Sequence, residues 1–336
     1  MESTGLMAGS DPYRPPMFIL FTGPLGSGKT TLIEGWVKGE RGAETALIVN
    51  DAGPINIDGT IVAQAADALD ITELSNGCIC CSLKSDLVHT VEALLEHRAA
   101  QDRAPFRQII LECSGLAQPG PLFRALAELS HLRMNTVWVS TFDCTSPVSA
   151  QKQTLVLEQL AAAQFIIPTK GDLVPSEVEV SLEQDIRTIN PLATITHYLD
   201  DILQHKTAST LPTLFDKQTT FYSLAEHDSP HDRVSVFCGR YDAADWLDIQ
   251  EWLANLTAAL GERVLRIKAL AAHPRTDSRI LLQSVGTTFS APRRINADPS
   301  VENGVVLILR DTDISEVTEC PSAFPVTWYE NHGRST

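Results

Sequence analysis

At 336 residues with 43% hydrophobic and 20% charged residues, the chain holds enough apolar material for a sizeable core, and its length points to a large domain plus a smaller one. A formal charge of −16 leaves no basic surplus to neutralise phosphates, which argues against a nucleic-acid binder. Seven irregularly spaced cysteines do not suggest a disulfide framework, no apolar run approaches ~18 residues, and the N-terminus lacks a basic-then-apolar leader; the expectation is a cytoplasmic protein with reduced thiols and no membrane partner.

Residues 1–15 read as a disordered tail. From residue 16 to 205 short apolar runs alternate with helical patterns, which predicts an α/β domain with a mainly parallel sheet. The expected strands are "MFILFT", "ALIVN", "QIILECS", "NTVWVSTFD", "QFIIPT" and "LATITH". Directly after the first comes "GPLGSGKT", which fits the phosphate-loop pattern G-x-x-x-x-G-K-[ST] in its strand–loop–helix setting. Gly23, Gly26, Ser27 and Gly28 would let backbone N–H groups curl around phosphates, with Thr31 just inside the helix that follows. Lys29 would reach the terminal phosphates, and the Thr30 hydroxyl would bind Mg²⁺.

Asp51 follows the second strand and joins Lys29 and Glu112 as the expected catalytic set. Further on, "LSNGCICCSLKSDL" puts Cys78, Cys80 and Cys81 into four consecutive positions, after a turn signal and before an amphipathic helix over Ser82–Ala99. Thiolates are the ligands that zinc, cobalt and copper(I) prefer, and three sulfurs leave one tetrahedral position open for exchange. Metal ligation is the reading; a redox pair or buried structural thiols are the alternatives. "IILECSG" sets Glu112 at a strand end, where a carboxylate meets Mg²⁺ or positions water.

In "IIPTKGDLV", Thr169, Lys170 and Asp172 follow another strand. A carboxylate there accepts from both donors of a guanine edge, which adenine does not offer, so GTP is expected over ATP. A helix is predicted over Leu173–Ile189, a linker over 206–232, and a small α+β domain over 233–316 built from "RVSVFC", "DWLDIQEWLANLTAAL", "RVLRIKALA", "RILLQSV" and "GVVLILR". Residues 317–336 read as a tail.

A phosphate loop, "GCICC", "ECSGLAQP" and "TKGDL", in this order, resemble the CobW-type family of metal-handling GTPases, and the likeness extends from Met17 to about Asp313. The resemblance implies a GTPase with Mg²⁺ that loads a divalent transition metal (zinc or cobalt first, nickel or iron also possible) through Cys78, Cys80 and Cys81 and delivers it to a client metalloprotein. A metal store or sensor with a regulatory nucleotide site, and a P-loop kinase, are the alternatives. Two departures stand out. "NDAGPINIDG" has Asp51 and Pro54 where the family carries glutamates, and Thr169 stands where its guanine loop opens with Asn. His227 and His231, where relatives carry a histidine-rich stretch, read as solvated linker residues.

Overall fold

The structure, a computed structural model, describes residues 15–38, 40–50, 70–73, 83–146, 154–204, 234–242, 245–276, 278–295 and 303–329. Asp51, the thiols Cys78, Cys80 and Cys81, and the 206–232 linker lie outside the described residues.

The strand β1 (Met17–Thr22) shows why the N-terminal apolar runs are continuous rather than alternating. Phe18 and Leu20 pack into one core layer, whereas Met17, Ile19 and Phe21 pack into another on the opposite face. A strand buried on both faces has no solvent side to mark with polar residues. The same division holds for β2 (Thr45–Asn50) and β4 (Gln108–Cys113): Ala46, Ile48, Ile109 and Leu111 face one way, and Leu47, Val49 and Ile110 the other. With β3 (Asp70–Glu73), β5 (Asn135–Asp143), β6 (Phe165–Thr169) and β7 (Thr194–Ile195), these strands form a sheet in the order β3-β2-β4-β1-β5-β6-β7, and every described pairing is parallel.

Helices cover both faces. On one lie α1 (Lys29–Val37) and α7 (Leu199–Gln204), contributing Ile33, Trp36, Leu199 and Ile202; α2 (Glu40–Ala43) is a single turn before β2. On the other lie α3 (Leu83–Ala100), α4 (Pro119–Glu128), α5 (Thr154–Ala162) and α6 (Ser176–Ile189), through residues such as Leu87, Leu122, Leu160 and Ile186. The helix expected from Leu173 starts at Ser176, because a single 3-10 turn over Gly171–Leu173 and then Pro175 precede it.

The C-terminal domain is a second sheet, of antiparallel strands: β8 (Val234–Arg240), β9 (Val264–Ala272), β10 (Arg279–Val285), β11 (Thr288–Phe289), β12 (Arg293–Ile295), β13 (Gly304–Arg310) and β14 (Thr327–Trp328). The order is β11-β10-β9-β13-β8-β14, with β12 also on β10. One face packs on α8 (Trp246–Leu260), where Ile249, Trp252, Leu253 and Leu256 meet Ile267, Ala269, Val305 and Leu307. Asp245 starts that helix, its carboxylate accepting from the Leu247 N–H at 3.1 Å.

The expected tail from residue 317 needs correction. Helix α9 (Ile314–Glu319), opened by an Asp313–Glu316 capping box, runs into it, and β14 pairs with β8 beyond it. Buried Phe324 meets Trp252 edge-on, with ring centroids 5.6 Å apart. The stretch has no clear period in sequence, and its Phe324, Val326 and Trp328 find their places on α8, Tyr241 and β8.

The second face of the C-terminal sheet meets the first domain. Cys238, Leu265, Val285, Val306 and Ile308 belong to the same core layer as Leu157, Leu160 and Ile186. Arg310 pairs with Glu158 across this boundary at 3.0 Å. Burial raises the Glu158 carboxyl above its usual range, against the pull of Arg310, which identifies a junction only partly open to water. Among the described residues, no helix is long and apolar enough to cross a membrane.

Candidate nucleotide-binding site

The site stands at the carboxyl ends of the parallel strands, where an open α/β sheet leaves a crevice for ligand. Gly23 has a φ of +136°, and a Cβ there would fall 2.2 Å from Thr141 Oγ1, so glycine is required by both conformation and space. Gly28, at a φ of +82°, is the residue from which α1 departs, and no side chain caps the helix. The first N–H groups of α1 therefore face the loop without a side-chain acceptor, the arrangement that suits a phosphate. Ser27 is buried, its hydroxyl 2.6 Å from that of Thr141, which ties the loop to β5.

Lys29 reaches back over this loop, its Nζ donating to Gly23 O at 2.8 Å and Pro24 O at 3.0 Å. Thr30 Oγ1 donates to Glu112 Oε1 at 2.6 Å. Residues 82 positions apart in sequence thus bring a hydroxyl and a carboxylate, both hard oxygen ligands, together at the mouth of the phosphate loop. Glu112 is only 4% exposed, so this pair is a built feature and not a surface coincidence. The donor set fits Mg²⁺, which takes one or two protein oxygens and completes its octahedron with water and phosphate. Thr31, one residue further along, is exposed on the first turn of α1.

After Glu112 the chain turns through Ser114–Ala117. A Cβ on Gly115 would lie 2.5 Å from the backbone nitrogen of Leu25, so this turn lies directly against the phosphate loop. Gln159, fully buried on α5, donates from Nε2 to Gly115 O at 3.2 Å and Ala117 O at 2.9 Å and holds the turn in place. Sequence reasoning missed Gln159, and no local pattern marks it: it sits beside Glu158 in a largely apolar helix.

On the far side, Thr169 Oγ1 lies 2.8 Å from Ser27 O and 3.0 Å from Phe142 O. Thr169 thus anchors the loop after β6 to the phosphate loop by its hydroxyl. Lys170, in the left-handed conformation at φ +57°, holds its ammonium 2.5 Å from Asp143 Oδ2. Burial would raise the Asp143 carboxyl, but donors from Lys170 and Thr145 outweigh it and hold the group below the usual carboxylate range. Asp143 was also missed from sequence; it becomes visible only through the parallel register that sets it opposite Thr169. Asp172 is exposed on the turn after β6.

Cys113, next to Glu112, is 1% exposed, and burial pushes its thiol well above the usual range, so it stays protonated. Among the described residues no group of three or more His, Cys, Asp or Glu side chains converges as a metal centre.

Comparison with known proteins bears on this arrangement. The zinc chaperone YjiA of Escherichia coli (strain K12) is 28% identical over 294 residues, spanning 82% of this chain and 88% of that protein. The zinc-regulated GTPase metalloprotein activator 1 of Dictyostelium discoideum is 28% identical over 230 residues, 57% of this chain and 47% of that protein. The crystal structure of Zn(II)-bound YjiA GTPase from E. coli superposes with a TM-score of 0.66 at 20% identity, covering 91% of this chain and 98% of that one, a likeness of fold. The pattern of the CobW/HypB/UreG nucleotide-binding domain matches residues 17–197, and that of the cobalamin synthesis protein cobW C-terminal domain matches residues 234–320. Phosphate loop, parallel sheet and second domain together place this chain in the CobW/HypB/UreG family, with the CobW C-terminal domain attached.

Proposed function

We propose that this protein hydrolyses GTP and uses the nucleotide state to hold and release a divalent transition metal, zinc or cobalt, for a client metalloprotein. The single observation that carries the nucleotide half is the Thr30–Glu112 contact at 2.6 Å beside Lys29. Mg²⁺ bound by these oxygens would neutralise charge on the terminal phosphates. Lys29 turns its ammonium from the loop carbonyls toward the β- and γ-phosphates, and the N-terminus of α1 adds partial positive charge along the same direction. Glu112 orients the attacking water or the magnesium shell. Water oxygen bonds to the γ-phosphorus as its bond to the β–γ bridging oxygen breaks, leaving GDP and inorganic phosphate. Asp172 accepts from guanine, while Thr169 and the Asp143-anchored Lys170 fix the loop that presents it.

The metal half rests on Cys78, Cys80 and Cys81, whose spacing in sequence supplies three thiolates, and on relatives named as zinc chaperones and as zinc-regulated activators. This thiol segment and Asp51 fall in sequence between the phosphate loop and Glu112, the interval where P-loop GTPases keep their switch segments. Coupling requires that the two nucleotide states bind metal with different affinity; a hundredfold ratio corresponds to about 2.7 kcal/mol.

The test is elemental analysis and metal titration of the full chain with a GTP analogue and with GDP, alongside the Cys78→Ser/Cys80→Ser/Cys81→Ser variant and Lys29→Ala. The expected result is about one tightly held metal per chain, lost in the triple variant, with affinity that differs between nucleotide states. Equal affinity in the two states would sink the coupling. Metal retained by the triple variant would sink the ligand assignment. GTP turnover surviving in Lys29→Ala would sink the nucleotide reading.

A further inference from the structure

Where the C-terminal sheet meets the first domain, a cavity of about 650 Å³ opens between them. Phe123 and Trp138 line it from the first domain and Phe289 from the second, with Arg133 and Arg293 at its edge and Arg266 within. Asn135, at the start of β5, is part of the wall, whereas Asp143, at the other end of that strand, belongs to the base loop. Trp138, the wall residue on that strand nearest the site, is five residues from Asp143, about 17 Å at a strand rise of ~3.3 Å per residue.

Its charge runs against that of the molecule. The chain has 42 acidic and 26 basic residues, yet among the described residues lining the cavity there is no Asp or Glu, and there are three arginines. Arg266 is 4% exposed and rigidly held: its Nη1 donates to Ala161 O, Ala162 O and Ala163 O at the C-terminal end of α5, at 3.2, 2.5 and 2.6 Å. Those acceptors are neutral, so its positive charge is fixed in place without being cancelled by a described carboxylate. Arg133, exposed on the turn after α4, has no ion-pair partner among the described residues. Lys268 lies two residues beyond Arg266 on β9; burial, followed by Arg266 and Arg293, pushes its ammonium down to about 7, consistent with a positive local field.

The rest of the lining mixes polar residues such as Gln164 and Gln283 with aromatic and aliphatic ones. Phe123 and Trp138 stack with centroids 6.3 Å apart and planes 25° from parallel. The volume falls in the range of sites for small organic ligands, roughly 300–1,000 Å³. A bare inorganic anion would leave most of it unfilled and the aromatic surface in contact with water.

We propose that this interdomain cavity binds a small organic anion, its flat apolar body against Phe123, Trp138 and Phe289 and its carboxylate, sulfonate or phosphate on the arginines. This goes beyond the nucleotide and metal reading and does not depend on it.

The probe pair is 8-anilinonaphthalene-1-sulfonate and its neutral analogue N-phenyl-1-naphthylamine, titrated by fluorescence into the full chain with GDP and Mg²⁺ saturating the nucleotide site. The expected result is saturable, one-to-one binding of the sulfonate, at least tenfold tighter than the neutral probe. Arg133→Glu, an exposed position, then weakens the sulfonate at least tenfold and the neutral probe less than twofold. Ala127→Trp, which places a large ring from α4 at the cavity wall, weakens both. Unfolding curves confirm that both variants are folded. Equal binding of the two probes, no saturable binding of the sulfonate, an affinity unmoved by Arg133→Glu, or displacement by raising GDP would each overturn the proposal.

Discussion

In the N-terminal sheet the strands run parallel under helices on both faces, and the polar side chains of the candidate site emerge at strand ends: Glu112 from β4, Asp143 from β5 and Thr169 from β6. In the C-terminal sheet the strands run antiparallel, α8 covers one face, and Arg266 and its neighbours stand on the face turned to the other domain. A parallel sheet buried on both sides can hold charge only where its strands stop. An antiparallel sheet with one face against a partner can hold charge on the face itself, provided that neutral dipoles such as helix carbonyls accept it. The same chain thus builds a crevice at an edge and a charged floor on a surface.

Three substitutions test that contrast. The largest effect is expected for Arg266→Ala, which removes the donor from three carbonyls at a buried helix end. Denaturant unfolding should show a loss of about 3 kcal/mol. A loss below about 1 kcal/mol would mean that the face holds together by apolar packing alone, and the comparison would fail there. Next comes Thr169→Ala. Losing the hydroxyl link between the base loop and Ser27 should weaken GDP binding about fivefold, near 1 kcal/mol, measured by calorimetry. An unchanged affinity would show that the strand ends need no cross-tie.

The smallest effect is expected for Asp143→Asn. The Asp143 carboxyl titrates lower in the folded state than unfolded, so its contribution is present above the unfolded value near 3.8 and is lost as pH falls through the lower folded value. Wild type and variant should differ in urea stability by about 0.5 kcal/mol at pH 7, with Lys170 partly solvated. The gap should close as pH drops below about 4. A gap that widened with acid would reverse the assignment.

The elements differ in how openly the sequence declares them. β1 and β4 are legible because apolar runs between turn signals leave few alternatives, and β5 because its β-branched and aromatic residues suit a strand. β3 was not: its four residues, "DITE", begin and end with acids and form an edge strand, where neighbours decide the conformation more than composition does. Helix α5 hid because most of its circumference is buried, and Thr154 and Glu158 leave only a narrow polar side to mark its period. The phosphate loop was readable residue by residue, since its glycines, lysine and threonine act within one short stretch of chain. The thiol motif is equally legible as a motif.

The sequence alone determined the phosphate-loop pattern, the close spacing of Cys78, Cys80 and Cys81 and the alternation that makes a parallel sheet, because each depends on residues close along the chain. Tertiary structure alone decided that Thr30 meets Glu112, that Asp143 holds Lys170, that Gln159 steadies the turn at Gly115, and that Arg266 closes the end of α5. These partners lie between 27 and 105 residues apart, and a contact across such a span is set by strand order and sheet packing, which no local pattern encodes.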